Sequence, residues 1–256
     1  MNFLFEGIKY KLFAKKRHRI HSPFVYTLSD IVLRQQLSKK ALDAISQFDL
    51  AQKNNAQILD IEDYGAGSKS LAKKRKVCDI HRISSSKSYG KILFQLSSYY
   101  QPSAMLELGT SLGRGSLMLH YGHPNAHIVT LEGCPAVAKV AQNNMLKYAW
   151  DASRIEVLNT PFLPFLETYQ GSPFDFIYVD GHHDGEALLR YLSILHPYVH
   201  ENTLILLDDI RWSASMFDAW NSLLSNDFYH VTVDFFRMGL LIPRSVQHKE
   251  HFILRT

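Results

Sequence analysis

From residue 104 onward the chain alternates between two patterns, and this alternation limits the fold more than any other feature. Apolar runs at 104–109, 127–132, 154–158, 174–180 and 203–208 are separated by helical patterns at about 114–121, 135–148, 161–169 and 184–196. Strands spaced this far apart are joined through helices, so they run parallel in a sheet with helices on both faces. A further helix is expected at about 213–225, followed by strands at 229–236 and 238–243. Almost no linker separates those two strands. A parallel crossover needs a dozen or more residues, so they form an antiparallel hairpin at the sheet edge.

The first strand leads into Leu106-Glu107-Leu108-Gly109-Thr110-Ser111-Leu112-Gly113-Arg114-Gly115-Ser116, a glycine-rich turn that opens a helix. Glycine lets the backbone pass close to a ligand, and the helix N-terminus offers unpaired N–H groups. Glu132, 19 residues after Gly113, ends the next apolar run. That spacing suits a carboxylate gripping a ribose at the tip of a second parallel strand, and so a nucleoside-containing cofactor. A rival occurs at 57–67, where Asp60 and Asp63 precede Gly65 and Gly67. It is followed by a basic stretch, Ser68 to Lys76, and not by an apolar strand ending in an acid. Without that βαβ context it is read as a polar loop, with a lid over the site as the alternative.

The first 82 residues are expected to form a mainly helical region, a cap or lid, before a larger domain at 83–256. Residues 2–17 place Leu4, Ile8 and Leu12 on one stripe among basic residues, an amphipathic helix. Residues 1–20 hold six basic side chains and one acid, Glu6, which exceeds the whole chain's net charge of +4 and leaves the remainder one charge below neutral. That near-neutral remainder argues against a nucleic-acid binder. The basic helix either packs on the body or touches a membrane surface peripherally. Ser22 and Pro23 cap a second helix. A further helical segment covers about 38–53, and Ser84 to Ser88 is a cap-rich start to another. No apolar run approaches the ~18–20 residues of a membrane span. The N-terminus lacks a signal-peptide pattern, because lysines and arginines interrupt its apolar residues. Cys78 and Cys134 supply neither a disulfide framework nor paired zinc ligands. A reducing, cytoplasmic location is therefore expected.

Residues 83–256 resemble the class I S-adenosylmethionine-dependent methyltransferases, most closely the catechol O-methyltransferase-like small-molecule enzymes. The resemblance rests on Leu106 to Gly113, Leu131-Glu132, Phe174 to Asp180, and Leu206-Leu207-Asp208-Asp209-Ile210-Arg211-Trp212, with the terminal hairpin. It implies a Rossmann-like, doubly wound, seven-stranded sheet, mostly parallel, and S-adenosylmethionine as cofactor. Glu107, Gly109, Thr110, Ser111, Gly113 and Ser116 would then organise the turn and the amino-acid portion of the cofactor. Glu132 would accept the ribose hydroxyls, and Asn159 and Thr160 stand where adenine contacts arise. Asp209 replaces the asparagine usual in the family, and the His182-His183 pair departs from the catechol type.

Methyl transfer needs an aligned nucleophile and a way to deprotonate it. Asp180, Asp208 and Asp209 end parallel strands, the edge where open α/β sheets bind ligands. Three carboxylates meeting there suit a hard cation, so Mg²⁺ is expected as an aid, held by Asp180, Asp208 and Asp209. Asp180 and His183 are the expected catalytic residues, with a histidine base suited by its ordinary pKa near 6.5. Trp212 is either a pocket wall or core packing. The expected partners are a small-molecule acceptor and, as a homodimer, a second copy of the chain. A second function class, cofactor binding without catalysis and docking through the basic N-terminus, is separable by replacing the three aspartates.

Overall fold

A computed structural model describes residues 3–14, 22–62, 74–84, 87–245 and 248–255. Gly65, Gly67 and part of the cap-rich start, Ser85 and Ser86, lie outside them. The chain divides into two compact units, one of residues 35–169 and one of residues 1–34 with 170–256.

Helices α1 (Phe3–Phe13) and α2 (Pro23–Asp30) open the discontinuous unit. Ser22 accepts from Val25 N–H and Pro23 takes the first helical position, as its fixed φ and missing N–H favour. The side that α1 presents to its unit carries Tyr10, not Ile8 or Leu12. The Tyr10 hydroxyl donates to Leu254 O and its ring lies 5.1 Å from that of Phe236, while Ile8, Leu12 and Phe13 remain exposed.

The contiguous unit begins with α3 (Lys39–Lys53), which buries Ala41, Ile45, Phe48 and Gln52 along one face. Strands β1 (Ile58–Asp60) and β2 (Lys74–Lys76) follow as an antiparallel pair, so Ile58–Asp60 is one side of a ribbon and not the first strand of a βαβ unit. Helices α4 (Val77–Ser84) and α5 (Lys87–Tyr100) lead to β3 (Ala104–Leu108). The alternation then proceeds as expected: α6 (Arg114–Gly122), β4 (His127–Glu132), α7 (Pro135–Tyr148), β5 (Ile155–Asn159) and α8 (Phe162–Thr168). Parallel ladders set Glu107 beside Thr130 and Glu132 beside Asn159, so the strand ends align. β3 and β4 read as nearly continuous apolar runs because helices cover both faces of a parallel sheet.

In the discontinuous unit, β6 (Phe176–Val179), α9 (Gly185–Leu195), β7 (Leu204–Leu207) and α10 (Ala214–Ser225) continue the same rhythm. β8 (Val231–Asp234) and β9 (Gly239–Ile242) form the antiparallel hairpin, with β9 seated against β7. The structure adds an eighth strand of the Rossmann-like fold, β10 (Glu250–Ile253), parallel to β8. Phe252 within it and Leu254 just after it are buried, too few inward residues to show a period in the sequence.

The hairpin turn is held from a distance. Arg211, in the loop after β7, donates to Asp234 through Nη1 at 2.9 Å and Nη2 at 2.6 Å, and to Phe236 O at 2.6 Å. Asp234 Oδ1 also accepts from Phe236 N–H at 2.6 Å, and Phe236 takes a left-handed φ of +73°. Both partners of this ion pair are buried. A buried pair is of little net value against an apolar replacement, but breaking one side strands a charge. Asp234→Ala is therefore expected to lower the unfolding free energy by about 3–5 kcal/mol in urea titration, and replacing Arg211 and Asp234 together by Met and Leu to recover most of that loss.

Candidate active site

The glycine turn after β3 is shaped by backbone conformations that side chains resist. Gly109 has φ +112°, Ser111 +49° and Gly113 +93°. At Gly113 a Cβ would also run into the Met145 side chain. The N–H groups of Gly109 and Thr110 both donate to Leu131 O, at 3.1 and 3.0 Å, which folds the turn over the end of β4. Gly113 caps α6 without a side-chain bond, leaving that helix's first N–H groups for another partner.

Glu132 stands at this point with both oxygens engaged by backbone. Oε2 accepts from Ser111 N–H and Oε1 from Cys134 N–H, each at 2.9 Å. Burial pushes its carboxyl above the usual range against those two bonds. Each oxygen keeps a lone pair for a further donor. Asn159 and Thr160 sit alongside. The Asn159 amide donates to Glu132 O at 2.8 Å and Gly133 O at 2.9 Å, and Thr160 N–H to Glu132 O at 3.1 Å.

Glu107 is 1% exposed under the turn. Its Oε2 accepts from the Ser116 hydroxyl and, at 2.6 Å, from Thr130, which lies 2.6 Å from the Thr110 hydroxyl. Its Oε1 is buried without a partner. Burial raises the carboxyl to about 7, opposed by those two hydroxyl bonds and assisted by the charge of Glu132. An orphaned acceptor at the foot of a cradle that excludes Cβ atoms fits the polar head of a cofactor. Glu107, Gly109, Thr110, Ser111, Gly113, Ser116, Glu132 and Thr160 thus gather in one region of the contiguous unit.

Other residues buttress that turn without any motif to announce them. Gln52 of α3 donates to Asn144 Oδ1 at 3.0 Å, and Asn144 donates to Leu112 O at 2.9 Å. Arg114 clamps Asp49 at 2.9 and 3.3 Å. The only trace in the sequence is a polar residue on an otherwise apolar helix face, as at Gln52.

The discontinuous unit gathers the acidic residues. Tyr178 OH donates to Asp180 Oδ2 at 3.0 Å and lies 3.5 Å from Asp208 Oδ2. Burial and the neighbouring charge of Asp208 hold the Asp180 carboxyl well above its ordinary value, and burial brings Asp209 up to about 6. Asp209 has φ +51°, the tolerance of a short polar side chain for the left-handed region, and its carbonyl accepts from Trp212 N–H at 2.8 Å. The two histidines part company. His182, also left-handed at φ +54°, contacts the Tyr191 hydroxyl through Nδ1. His183 points Nε2 toward Asp209 Oδ2 at 3.7 Å, and its ring lies 5.6 Å from that of Trp212. Burial lowers the His183 pKa below 6.5, so the ring is neutral near pH 7.

The residue absent from the sequence reading here is Arg237. Its Nε lies 3.0 Å from Asp208 Oδ1 and 2.9 Å from Asp209 Oδ1, and its Nη2 3.0 Å from Asp208 Oδ2 and 3.4 Å from Asp209 Oδ2. Burial would lower its pKa, but the bond and charges of Asp208, Asp209 and Asp180 raise it. The oxygens of Asp208 and Asp209 therefore already face a cation. Among the described residues no group of three or more His, Cys, Asp or Glu is arranged to hold a metal ion. The carboxylates Asp180, Asp208 and Asp209 do not fit Mg²⁺ in this arrangement.

Comparison with known proteins agrees with the fold. A family model described as a methyltransferase domain matches residues 106–210. A catechol O-methyltransferase of Mycobacterium tuberculosis is 34% identical over 133 residues, 52% of this chain and 59% of the relative. One from Niastella koreensis is 30% identical over 140 residues, covering 53% of this chain and 62% of the relative. The chain thus spans about three fifths of the length of these curated relatives. Among solved structures, cofactor-bound Rv0187 from MTB aligns with a TM-score of 0.59 at 24% identity, over 82% of this chain and all but 1% of its own. An O-methyltransferase from Bacillus cereus, in complex with SAH, aligns with a TM-score of 0.54 at 18% identity over 85% of this chain and 96% of its own. These structures share the Rossmann-like fold.

The Glu107 carboxyl carries a stability signature independent of any ligand. With a value of about 7 in the folded chain against 4.5 when unfolded, it holds its proton in the native state between those limits while the unfolded chain has released it. Its burial therefore costs progressively more stability as pH rises from 4.5 to 7. Glu107→Gln should gain on the wild type across that window by up to roughly 3 kcal/mol, at about 1.36 kcal/mol per pH unit, in denaturant titrations at pH 5 and pH 8.

Proposed function

We propose, since residues 106–210 match a methyltransferase domain, that this protein is a class I methyltransferase that binds S-adenosylmethionine and methylates an oxygen of a small hydroxylated aromatic acceptor. The observation that carries the reading is Glu132. Its carboxylate is fixed by the N–H groups of Ser111 and Cys134 at the lip of the glycine turn, with lone pairs left for a pair of vicinal hydroxyls. Glu107 and the uncapped start of α6 suit the charged amino-acid end of the cofactor. The names of the catechol O-methyltransferase relatives support the acceptor class. So does Trp212, which is 63% exposed and leaves a flat aromatic face beside His183.

When bound, S-adenosylmethionine supplies a methyl group on a sulfonium, with the neutral thioether as leaving group. His183, neutral near pH 7, would take the proton of the acceptor hydroxyl on a ring nitrogen during the transfer. It then releases that proton to solvent. Asp209 steadies the imidazolium, since its Oδ2 lies 3.7 Å from Nε2. His182, engaged with Tyr191, orients its loop and stays out of the proton transfer.

Calorimetry with S-adenosylhomocysteine tests the cofactor assignment. The wild type should bind, and Glu132→Ala should weaken binding by at least about tenfold, the equivalent of 1.4 kcal/mol or more. Wild-type protein that gives no binding heat defeats the reading. With catechol as acceptor, His183→Asn should reduce kcat by about 10²–10⁴-fold while leaving cofactor affinity intact. Because burial lowers the His183 pKa, the acid limb of the wild-type kcat/KM profile should fall below pH 6.5, and its persistence in His183→Asn would assign it to another group.

A further inference from the structure

We infer that Arg237 is a built-in cation of the acid cluster, occupying the position against Asp208 and Asp209 that a divalent metal would need, so that these carboxylates hold a guanidinium and not Mg²⁺. The inference rests on the methyltransferase reading for the expectation of a metal there, and on geometry alone for its exclusion.

The geometry is specific. Arg237 approaches four carboxylate oxygens within 3.4 Å, two on Asp208 and two on Asp209, and both of its contacts with Asp208 are at 3.0 Å. A planar guanidinium holds two carboxylates through paired N–H groups in a way that a point charge does not. Asp208 is 4% exposed along its side chain, whereas Arg237 is 30% exposed, so the cation stands on the solvent side of the acid it neutralises. An ion seeking Asp208 would meet the guanidinium first.

The turn that carries Arg237 is fixed in turn by the acid strand's own loop. Ile210 N–H donates to Arg237 O at 2.9 Å, and Phe235 N–H to Met238 O at 2.8 Å. Arg211, two residues after Asp209, reaches across to Asp234 and Phe236. The two loops therefore exchange arginines. Arg211 leaves the β7 loop to hold the hairpin, and Arg237 leaves the hairpin to hold the β7 loop. A side chain clasped this way is part of the construction, not a mobile surface group filling in. The charge balance also favours it. Asp208 and Asp209 both face the one guanidinium, a fixed cation that answers their charge without drawing an ion from solution.

The test uses Mn²⁺ as a paramagnetic stand-in for Mg²⁺ and the full chain, with S-adenosylhomocysteine calorimetry on the same preparations. The wild type should take up Mn²⁺ no more tightly than Asp208→Asn does. Arg237→Met, which keeps the bulk and removes the charge, should gain one bound Mn²⁺ per chain with at least about tenfold higher affinity, and lose it again in Arg237→Met with Asp208→Asn. One Mn²⁺ bound by the wild type and lost in Asp208→Asn overturns the inference. So does an Arg237→Met protein that still binds S-adenosylhomocysteine yet takes up no Mn²⁺. If Arg237→Met fails to fold, the comparison of the wild type with Asp208→Asn decides alone. Absence of S-adenosylhomocysteine binding by the wild type would defeat the cofactor assignment and leave the Mn²⁺ result readable.

Discussion

Carboxylates at the dry ends of strands are the constraint around which this chain is built. Glu107, Glu132, Asp180, Asp208 and Asp234 all stand at or beside a strand terminus, where the apolar sheet has removed most of their water. A desolvated carboxylate must be neutralised by a proton, satisfied by donors or faced with a cation. The protein uses all three answers. Glu107 is pushed toward its protonated form and takes two hydroxyl bonds. Glu132 is held by backbone N–H groups. Asp208 and Asp234 each receive an arginine. The first two answers leave acceptor capacity for a ligand, whereas an arginine uses it up.

That division explains why the two groups of expected site residues differ in character. The glycine turn is a receptor awaiting donors, with an unpartnered Glu107 oxygen, a Glu132 carboxylate open on its outer side, and an uncapped helix start. The acid cluster is already balanced internally, and what it offers outward is a neutral imidazole, an exposed indole and the face of a guanidinium. Of the acids read as metal ligands from their places at parallel strand ends, Asp208 and Asp209 both face the guanidinium of Arg237.

What was legible in the sequence is what is decided locally. The strand–helix rhythm from 104 to 225 shows because the periods of strand and helix are written in neighbouring residues. The turn at Gly109 to Gly113 shows because only certain residues tolerate its conformation, and Glu132 shows because one βαβ unit fixes its distance. Arg237 lies 29 positions from Asp208 and belongs to a tight turn, where a basic residue reads as solvated surface. Gln52 and Asn144, 92 positions apart, meet only because α3 and α7 pack together. β10 is short, and its pairing with β8 is the property of a ladder, not of its four residues. The β1–β2 ribbon was hidden for a similar reason, since a Lys-Arg-Lys strand has no apolar face to betray it.

The division of the chain into a contiguous unit and one built from both ends has a consequence for synthesis. Residues 35–169 have all their internal partners once that segment has left the ribosome, so this unit is free to condense first. Helices α1 and α2 are made well before the rest of their unit. Tyr10 meets Leu254, a residue 244 positions later, only after the whole contiguous unit has been synthesised. Throughout that interval the exposed Ile8, Leu12 and Phe13 travel with a basic helix whose seat has not yet been made. This segment thus waits for the synthesis of some two hundred later residues, and its vulnerability to aggregation or proteolysis is set by the rate of elongation as much as by the stability of the finished fold.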